Sequence, residues 1–510
     1  MKIIQKIKEK PIIEYTIATA FFILVSVLFA KFTGILDSGY HFTDDHEIID
    51  INNQILNNGF FPTLRWFIMD DLSWRFRPLY FAVRVIRTLI FGTNFYLWHL
   101  FNAIECGLYM ALSYILSRKM KTPILVSLIF GFIFMMGSQD EIIWRLGPQE
   151  NMGMVLLPLT FLFTYLYFEK KNRIYGILTV VLTVGMMLQK ESYMVLAPSV
   201  ILFLFYLYVS NNNENINIFK KLWNFIKEYK WLIIFICLFL IICASIIVFF
   251  IGIMKPGYVG LDTSYTFYEY IRLTLNVLIV RDLFDFLPVY GIIVAILIYA
   301  IISKAVKKEL NRKFWHVLLV FILLIGYSMG IEAVLYAKSA MFDRYKLPCL
   351  WFLYFALLVL EHEYLKPVVH FIIVLAVFVY VIMLRNNDYS SIVSSAKWYA
   401  DDGKETTEML KYVGSLNKNK EKTILTDFVW YEHNLSSSMY LQLEEGVSKV
   451  YYLDPEKEDG DYWKMVRNDG TKISFDDADI ILTDDNMIED FNLDDYNVSS
   501  YSWFYVLEKK

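Results

Sequence analysis

Long apolar runs separated by short polar segments make up most of the chain. Eleven of these runs approach or exceed the roughly 18 residues that a helix needs to span a bilayer. They predict about eleven transmembrane helices, at 12–33, 96–117, 122–138, 152–169, 174–189, 193–210, 231–253, 288–303, 314–331, 347–361 and 367–384. From Arg385 onward the pattern becomes polar and acidic, so a different kind of structure is expected there.

Composition supports a membrane protein with several spans. Of the 510 residues, 57% are hydrophobic, and the mean hydropathy is +0.43. The four cysteines lie inside or beside apolar runs, and their spacing matches neither a disulfide framework nor a metal site. The first apolar run lacks a small-residue cleavage site, which predicts a retained helix rather than a signal peptide.

Lysine and arginine predict the orientation, because short cytoplasmic loops retain them. The basic segments "MKIIQKIKEK", "SRKMK", "EKKNR", "KKLWNFIKEYK" and "KAVKKELNRK" all fall on one side when the spans are counted. We therefore expect the N-terminus inside and the C-terminus outside. The first loop (34–95) then lies on the extracytoplasmic face.

The polar tail predicts a small extracytoplasmic α/β domain. "KTILTDF", "KVYYLDP" and "DADIILTDD" are typical of short buried strands, and 391–417 and 431–444 are typical of helices. The predicted organisation is an all-α polytopic membrane domain at 1–384 followed by an α/β domain at 385–510.

Ionisable side chains gather at the predicted outer ends of the helices. Such groups are costly at membrane depth unless they are paired or hydrated, so their positions carry information. "GYHFTDDHEIID" after the first span is rich in carboxylates, and further charged groups follow later spans. The candidates are Asp44, Asp45, Asp140, Glu141, Glu150, Lys190, Arg344 and the neighbouring Tyr345.

Carboxylates and cations at an outer membrane surface suit transfer from a lipid-linked donor. No glycine-rich phosphate loop is present, and nucleotide sugars are not dependably available outside a cell. An activated sugar would instead arrive on a polyprenyl phosphate. A carboxylate would take the proton of the acceptor hydroxyl, and cations would stabilise the departing lipid phosphate. Direct attack at the anomeric carbon would invert its configuration.

Each of these features also has a purely structural interpretation. Carboxylates in a loop such as "DDHE" are usually solvated surface. "DRY" before a span fits an interfacial anchor, and "QKES" fits a tight turn whose Lys190 and Glu191 neutralise each other. His99 and Asn102, one helical turn apart, fit hydrogen bonding within a bundle. The catalytic hypothesis depends on all of these segments ending on the same side.

Four segments resemble GT-C-fold glycosyltransferases, especially relatives of the protein O-mannosyltransferases and the tetratricopeptide-containing mannosyltransferases. "FTDDHEIIDINNQI" resembles the start of their first outer loop, and "RFRPLYFAVRVIRTLIFGTNFYLWHLFNAI" resembles the series leading into their second span. "LQKESYMVLAP" and "FDRYKLP" are similar to two later segments, in the same order. The resemblance covers residues 12–360, and tetratricopeptide repeats are missing.

The resemblance implies roles for individual residues. The general base would be Asp44, with Asp45 as the competing position. Arg344, Tyr345 and Lys190 would hold the donor phosphate. Six further residues would organise the acceptor, the sugar or the site: Asp140, Glu141, Glu150, Arg75, Arg77 and His99. Of these, Arg75 and Arg77 are expected on helices of the first loop.

The sequence is compatible with more than one metal requirement and more than one acceptor. Some members of the family resembled bind a divalent cation, so Mg²⁺ or Mn²⁺ on Asp44, Asp45 and Asp140 is an alternative to metal-free catalysis. The expected partners are the lipid-linked donor, membrane lipids and a glycan, glycolipid or protein acceptor, with no nucleic acid. Richness in Ile, Lys, Asn and Tyr favours a bacterial plasma membrane.

Two other functions are alternatives to the transferase. A polymerase or ligase of lipid-linked polysaccharide would also use outer-face arginines, but it typically centres on a large late loop. A lipid or solute transporter would place charges and broken helices near mid-membrane and show internal repeats. The acidic first loop and the absence of a convincing repeat favour the transferase.

Overall fold

The structure is a computed structural model of the whole chain. It describes residues 11–73, 75–133, 135, 138–214, 216–252, 266–337, 341, 343–387, 391–453, 462–464, 472–473 and 475–510.

Each of the eleven predicted apolar segments coincides with helical structure. In the described part of the chain, eight helices are long and apolar enough to cross a membrane: Pro11–Phe32 (α1), Phe95–Lys119 (α5), Glu150–Lys170 (α7), Glu191–Asn211 (α9 and α10), Ile218–Phe250 (α11 with its π-helical end), Phe284–Val306 (α13 with its preceding turn), Arg312–Leu335 (α14) and Pro367–Leu384, the apolar part of Pro367–Asn387 (α16). The other three segments form shorter or more buried helices: Ile124–Ile133 (α6), Arg173–Gln189 (α8) and Leu347–Tyr364 (α15). The all-α polytopic prediction is confirmed, while the number of spans and their orientation stay predictions.

Asparagine side chains define the starts of several of these helices. Asn94, Asn172, Asn217 and Asn311 each accept a hydrogen bond from a backbone N–H in the first helical turn. An N-cap of this kind satisfies a donor that has no partner within the helix. The helix boundaries therefore follow from local sequence as well as from the apolar runs.

Helix α5 lies at the centre of the bundle and contacts α1, α6 and α7. A Cβ added to Gly107 would lie 2.5 Å from Cα of Ile23, so the absence of a side chain lets α1 and α5 approach backbone to backbone. At one end of this contact Nε of Arg118 donates to Glu14 at 2.5 Å. Farther along α5, Glu105 pairs with Arg87 of the first loop.

The first loop forms three short helices, His46–Asn58 (α2), Phe60–Asp71 (α3) and Pro78–Phe91 (α4). Their apolar faces meet in a separate small core, which contains Ile51, Phe67, Tyr80, Phe81 and Val85. The loop is therefore a folded unit that can hold side chains in fixed positions.

The C-terminal region is the predicted α/β domain. The helices are Ile392–Asn419 (α17) and Tyr431–Leu443 (α18), and a seven-stranded sheet has the order β4-β3-β2-β1-β5-β7-β6. The three predicted strands are its parallel centre: Ile424–Asp427 (β1), Val450–Leu453 (β2) and Ile480–Asp484 (β5). Four antiparallel strands were not predicted: Tyr462–Lys464 (β3), Lys472–Ile473 (β4), Tyr496–Tyr501 (β6) and Phe504–Lys509 (β7). The remaining helix, Phe267–Leu275 (α12), lies between α11 and α13.

The C-terminal domain packs directly on the start of the first loop. Tyr40 and Phe42 are buried in the same hydrophobic cluster as Met409 and Phe504. The hydroxyl of Tyr40 donates to the carbonyl of Ser436 at 2.8 Å. The two regions thus share a core, and the domain boundary at residues 384 and 385 stays a prediction.

Candidate active site

Asp44 has an unusual backbone conformation that the surrounding structure maintains. Its φ is +64°, in the left-handed region that side-chain-bearing residues rarely adopt. Its amide donates to Oε1 of Glu432 at 3.1 Å, and its carbonyl accepts from Nη2 of Arg84 at 2.6 Å. A Cβ on Gly147 would overlap the side chain of Asp44. Because such strain persists where neighbours enforce it and clusters at functional sites, Asp44 is the prime candidate for chemistry.

Asp45 has a different environment from its neighbour. It is completely buried, and its Oδ2 accepts the amide N–H of His41 at 3.1 Å. Burial raises the pKa of this carboxyl to about 8, although the nearby guanidinium of Arg84 acts in the opposite direction. At neutral pH Asp45 is therefore mainly protonated and helps to shape the loop, whereas Asp44 is only half-buried.

Arg84 connects Asp44 to a second acidic residue. Its Nε lies 3.0 Å from Oε2 of Glu47, and its Nη1 donates to the carbonyl of Leu146 at 3.1 Å. The Tyr80 hydroxyl lies 3.0 Å from the same Glu47 oxygen. This arginine was not among the predicted site residues, yet a sequence signal exists. It falls on the buried stripe of α4 with Tyr80, Val85 and Thr88, where an unpaired charge would be too costly.

A basic group lies where two segments between membrane helices meet. The segments Ser138–Ile143 and Asp343–Lys346 pack against each other. Glu141 joins them, since its Oε2 lies 3.1 Å from Nε of Arg145 and its Oε1 lies 3.7 Å from Nη1 of Arg344. One carboxylate facing two guanidinium groups leaves a net positive charge, which suits a phosphate.

Glu432 contacts Asp44 and lies within electrostatic range of Arg344. Burial and the neighbouring Asp44 raise the pKa of the Glu432 carboxyl to about 7, while Arg344 acts to lower it. The pKa of Glu432 therefore depends on the charges of both the candidate base and the candidate phosphate binder. The structure brings Asp44 and Arg344 to the same region. Nothing in the sequence around "WYEHN" indicates that the C-terminal domain contributes to this region.

Lys190 and Glu150 form a buried ion pair. Each side chain is only 2% exposed, and the Lys190 ammonium also lies 3.9 Å from the ring centroid of Tyr345. The ring of Tyr336 stacks on the ring of Tyr345, with centroids 5.1 Å apart. These contacts fix Tyr345 beside Arg344, whose guanidinium lies 5.0 Å from its ring. Glu332, which was not predicted, is buried near Lys190, and both of its carboxylate oxygens lack a hydrogen-bond partner within the described part of the chain.

His99 and Asn102 hold the surrounding loops in place. Nε2 of His99 lies 3.0 Å from Oγ of Ser38, close to the turn that leads to Asp44. The Asn102 amide donates to the carbonyls of Ile142 and Ile143 at 2.9 and 2.7 Å, and so positions the loop of Glu141 and Arg145. These contacts therefore fit both interpretations of His99 and Asn102, namely hydrogen bonding within the helix bundle and organisation of the candidate site.

Arg75 and Arg77 require a correction. They were expected on helices of the first loop, but they lie in the connection between α3 and α4, where Pro78 begins the helix. Proline is well suited to the first helical position and disfavours helix in the residue before it. Arg77 forms two hydrogen bonds with Oδ1 of Asp71, at 3.0 and 2.5 Å, and Arg75 lies 3.5 Å from Glu191.

The structure describes only some of the donor groups named for a divalent cation. Among the residues that the structure describes, no three histidine, cysteine or acidic side chains are arranged to hold a metal ion. Asp45 is completely buried, and burial raises its pKa. The side chain of Asp140 lies outside the described residues, so its predicted role is untested.

Comparisons with solved structures give several similarities, and two of them are described here. No protein-family model and no curated protein sequence matches the chain. The crystal structure of ArnT from Cupriavidus metallidurans bound to undecaprenyl phosphate aligns with 96% of this chain and 97% of its own, with 10% identity and a TM-score of 0.47. The crystal structure of the Archaeoglobus fulgidus oligosaccharyltransferase, complexed with zinc and sulfate, aligns with 91% of this chain and 68% of its own, with 12% identity and a TM-score of 0.41. Neither similarity assigns a role to a residue of this chain.

Proposed function

We propose that this protein is a membrane glycosyltransferase that moves a sugar from a polyprenyl-phosphate-linked donor to an acceptor hydroxyl. The observation that carries the proposal is a half-buried carboxylate in an enforced conformation, Asp44, in the same region as the basic group of Arg344 and Arg145. Glu432 accepts the amide N–H of Asp44, and the charge of Arg344 acts to lower its pKa. The residues that the structure describes include eight helices long and apolar enough to cross a bilayer, which suits a donor carried in lipid.

Asp44 acts as the general base. Its carboxylate takes the proton from the acceptor hydroxyl as the oxygen attacks the anomeric carbon of the donor. A new C–O glycosidic bond forms while the bond between the anomeric carbon and the phosphate oxygen breaks. Because attack and departure occur on opposite faces of the sugar, the product has inverted configuration.

Arg344 receives the leaving group. The polyprenyl phosphate gains negative charge as the glycosidic bond breaks, and a guanidinium can bind two phosphate oxygens at once. Arg145 adds a second cation beside Glu141. Lys190 acts through Tyr345, because its ammonium is already paired with Glu150 and is buried.

The reaction takes place at the extracytoplasmic face of a bacterial plasma membrane. This part of the proposal is supported by the distribution of lysine and arginine, which places the first loop and the C-terminal domain on the side opposite the basic loops. The sugar and the acceptor are not specified by any feature of Asp44 or Arg344.

The test is transfer by the purified full-length protein in lipid nanodiscs. A radiolabelled polyprenyl-phosphate sugar is supplied with membrane extract as the source of acceptor, and labelled product and released polyprenyl phosphate are quantified. Wild-type protein should consume the donor, and Asp44→Asn should not. Equal consumption by the two proteins, or none by the wild type with any of several donor sugars, would refute the proposal.

A further inference from the structure

A cavity of about 280 Å³ lies between the first loop and the C-terminal domain. Its floor and sides come from α2, α3 and the connection to α4, and α18 closes it from the other domain. Trp66 and Phe81 supply aromatic surface, and Met439 projects from α18. The volume is near the lower end for small-molecule sites, so the cavity suits one compact unit.

The charge of the cavity disfavours an anionic occupant. Its two arginines are paired, Arg77 with Asp71 and Arg75 with Glu191, and Glu47 of the wall is paired with Arg84. With these partners included, five carboxylates face three arginines, since Asp50 and Asp70 also line the wall. A phosphate or a carboxylate would meet net repulsion here, in contrast to the basic group around Arg344.

The cavity is connected to the proposed base by direct contacts. Arg84 donates to the carbonyl of Asp44 and also pairs with Glu47 of the cavity wall. On α18, Glu432 and Met439 are two helical turns apart and therefore share a face. One of them contacts Asp44 and the other lines the cavity. Asp44 is thus connected to the acidic cavity through Arg84 and, through Glu432, to the neighbourhood of the basic group around Arg344.

We propose that this cavity is the acceptor subsite of the transferase and that it binds an uncharged sugar unit. The inference rests on the function proposed above. Carboxylates are strong acceptors for sugar hydroxyls, and the C–H faces of a sugar ring pack on aromatic surface such as that of Trp66. The donor phosphate binds on the basic side, so charge alone keeps donor and acceptor from exchanging places. The C-terminal domain is then part of the acceptor site.

Binding can be measured without donor or activity. Saturation-transfer NMR on the full-length protein in nanodiscs would use methyl glucoside, methyl mannoside and methyl galactoside as neutral probes and methyl glucuronide as the acidic one. We expect at least one neutral glycoside to bind about tenfold more tightly than the glucuronide. Met439→Trp fills the cavity and should abolish that binding, whereas Val429→Trp, at an exposed position nearby, should not.

A conservative substitution at an exposed position tests the cavity with little risk of misfolding. Asp70 is exposed at the cavity wall, so Asp70→Asn should fold normally and should narrow the preference for neutral over acidic glycoside by about threefold. Equal glycoside binding by wild type and Met439→Trp, or glucuronide binding as tight as the best neutral probe, would overturn the proposal. Binding of a serine- and threonine-containing peptide in place of all the glycosides would also overturn it and would reassign the cavity to a protein acceptor.

Donor hydrolysis separates this inference from the proposed function. Without acceptor, the wild type should release sugar from the labelled donor to water, and Val429→Trp, whose position is outside the cavity lining, should release it at the same rate. A wild-type protein that binds glycoside but never releases sugar would refute the transferase proposal while leaving the cavity a carbohydrate site. Release by both proteins with no glycoside bound would refute the acceptor subsite alone.

Discussion

The amide of Asp44 donates a hydrogen bond to the carboxylate of Glu432, which lies 388 residues later in the chain. This bond holds Asp44 at a φ of +64°. Left-handed backbone at a residue other than glycine costs of order 1–3 kcal/mol and persists where the surroundings enforce it. The C-terminal domain therefore contributes to the conformation of the proposed base.

The two adjacent aspartates should respond differently to the same change. Asp44→Asn removes the proposed base and should lower transfer by about 10²- to 10⁴-fold. Asp45→Asn should leave activity within about threefold, because the buried carboxyl is mainly protonated at neutral pH and the amide oxygen still accepts the N–H of His41. Labelled-donor turnover, with thermal unfolding as the folding control, checks both. A larger loss for Asp45→Asn would move the base to Asp45.

Glu432 should act as a positioning residue. Glu432→Ala removes the acceptor of the Asp44 amide, and we expect kcat to fall by about 10- to 100-fold as the loop relaxes. Glu432→Gln keeps an oxygen acceptor and should recover most of the activity, but it should also abolish any limb of the pH–rate profile near pH 7, since that is where the Glu432 carboxyl titrates. Glu444→Gln, at the far end of the same helix, is the matched control. Equal activity of Glu432→Ala and wild type would contradict the role.

Arg344 should govern donor use. Loss of a charge-assisted contact to phosphate costs about 1.5–3 kcal/mol, so Arg344→Ala should raise the KM for donor by about 10- to 100-fold. Arg344→Lys should recover only part of this, because a lysine lacks the planar two-pronged geometry. Arg272→Ala removes an exposed arginine from α12 and serves as control. Unchanged donor kinetics in Arg344→Ala would assign the phosphate to another residue.

Docking of the C-terminal domain can be weakened by one methyl group. A Cβ on Gly403 would overlap Nε2 of His41, which stacks on Tyr399 with ring centroids 3.7 Å apart. We expect Gly403→Ala to lower both activity and the unfolding temperature, although alanine favours helix over glycine. Gly291→Ala meets no atom within 4 Å and should be neutral or stabilising. A wild-type melting profile for Gly403→Ala would show that this interface does not hold the domain in place.

Stability should fall as the pH rises from about 4 to about 8. The pKa of Asp45 is about 8 in the folded protein and near 3.8 when unfolded, so over this range unfolding releases a proton. The slope is at most about 1.4 kcal/mol per pH unit for one such group, and it ends once the folded carboxyl also ionises. Thermal unfolding between pH 4 and pH 9 measures the slope, and Asp45→Asn should flatten it. An unchanged slope would assign the effect to other groups.

The membrane helices were predictable because their signal is local. Apolar runs and asparagine caps are visible in the sequence, and so are the buried central strands of the C-terminal sheet. The hairpin of β6 and β7 was missed because its turn, Ser502 with φ +52° followed by Trp503, lacks the glycine or asparagine that usually marks such a turn. Three of the six residues of β6 are exposed, and they include the apolar Val498, so polar and apolar positions do not alternate as in a half-buried strand.

The candidate site was predictable only in part. The charged residues at helix ends, among them Asp44 and Arg344, could be recognised by type and sidedness. Their pairing could not, because sequence does not reveal that Lys190 and Glu150 neutralise each other. The contribution of Glu432 depends on the docking of two distant regions, and no periodicity or motif records such a contact.

The shared core has a consequence for biosynthesis. Strand β7, which ends at Lys509, pairs with β5 in the middle of the sheet, and Phe504 of that strand packs against the cluster holding Tyr40 and Phe42. A ribosome must therefore synthesise the chain as far as β7 before the turn at Asp44 can take its final shape. Nascent chains already threaded into the bilayer would remain inert until that strand has emerged.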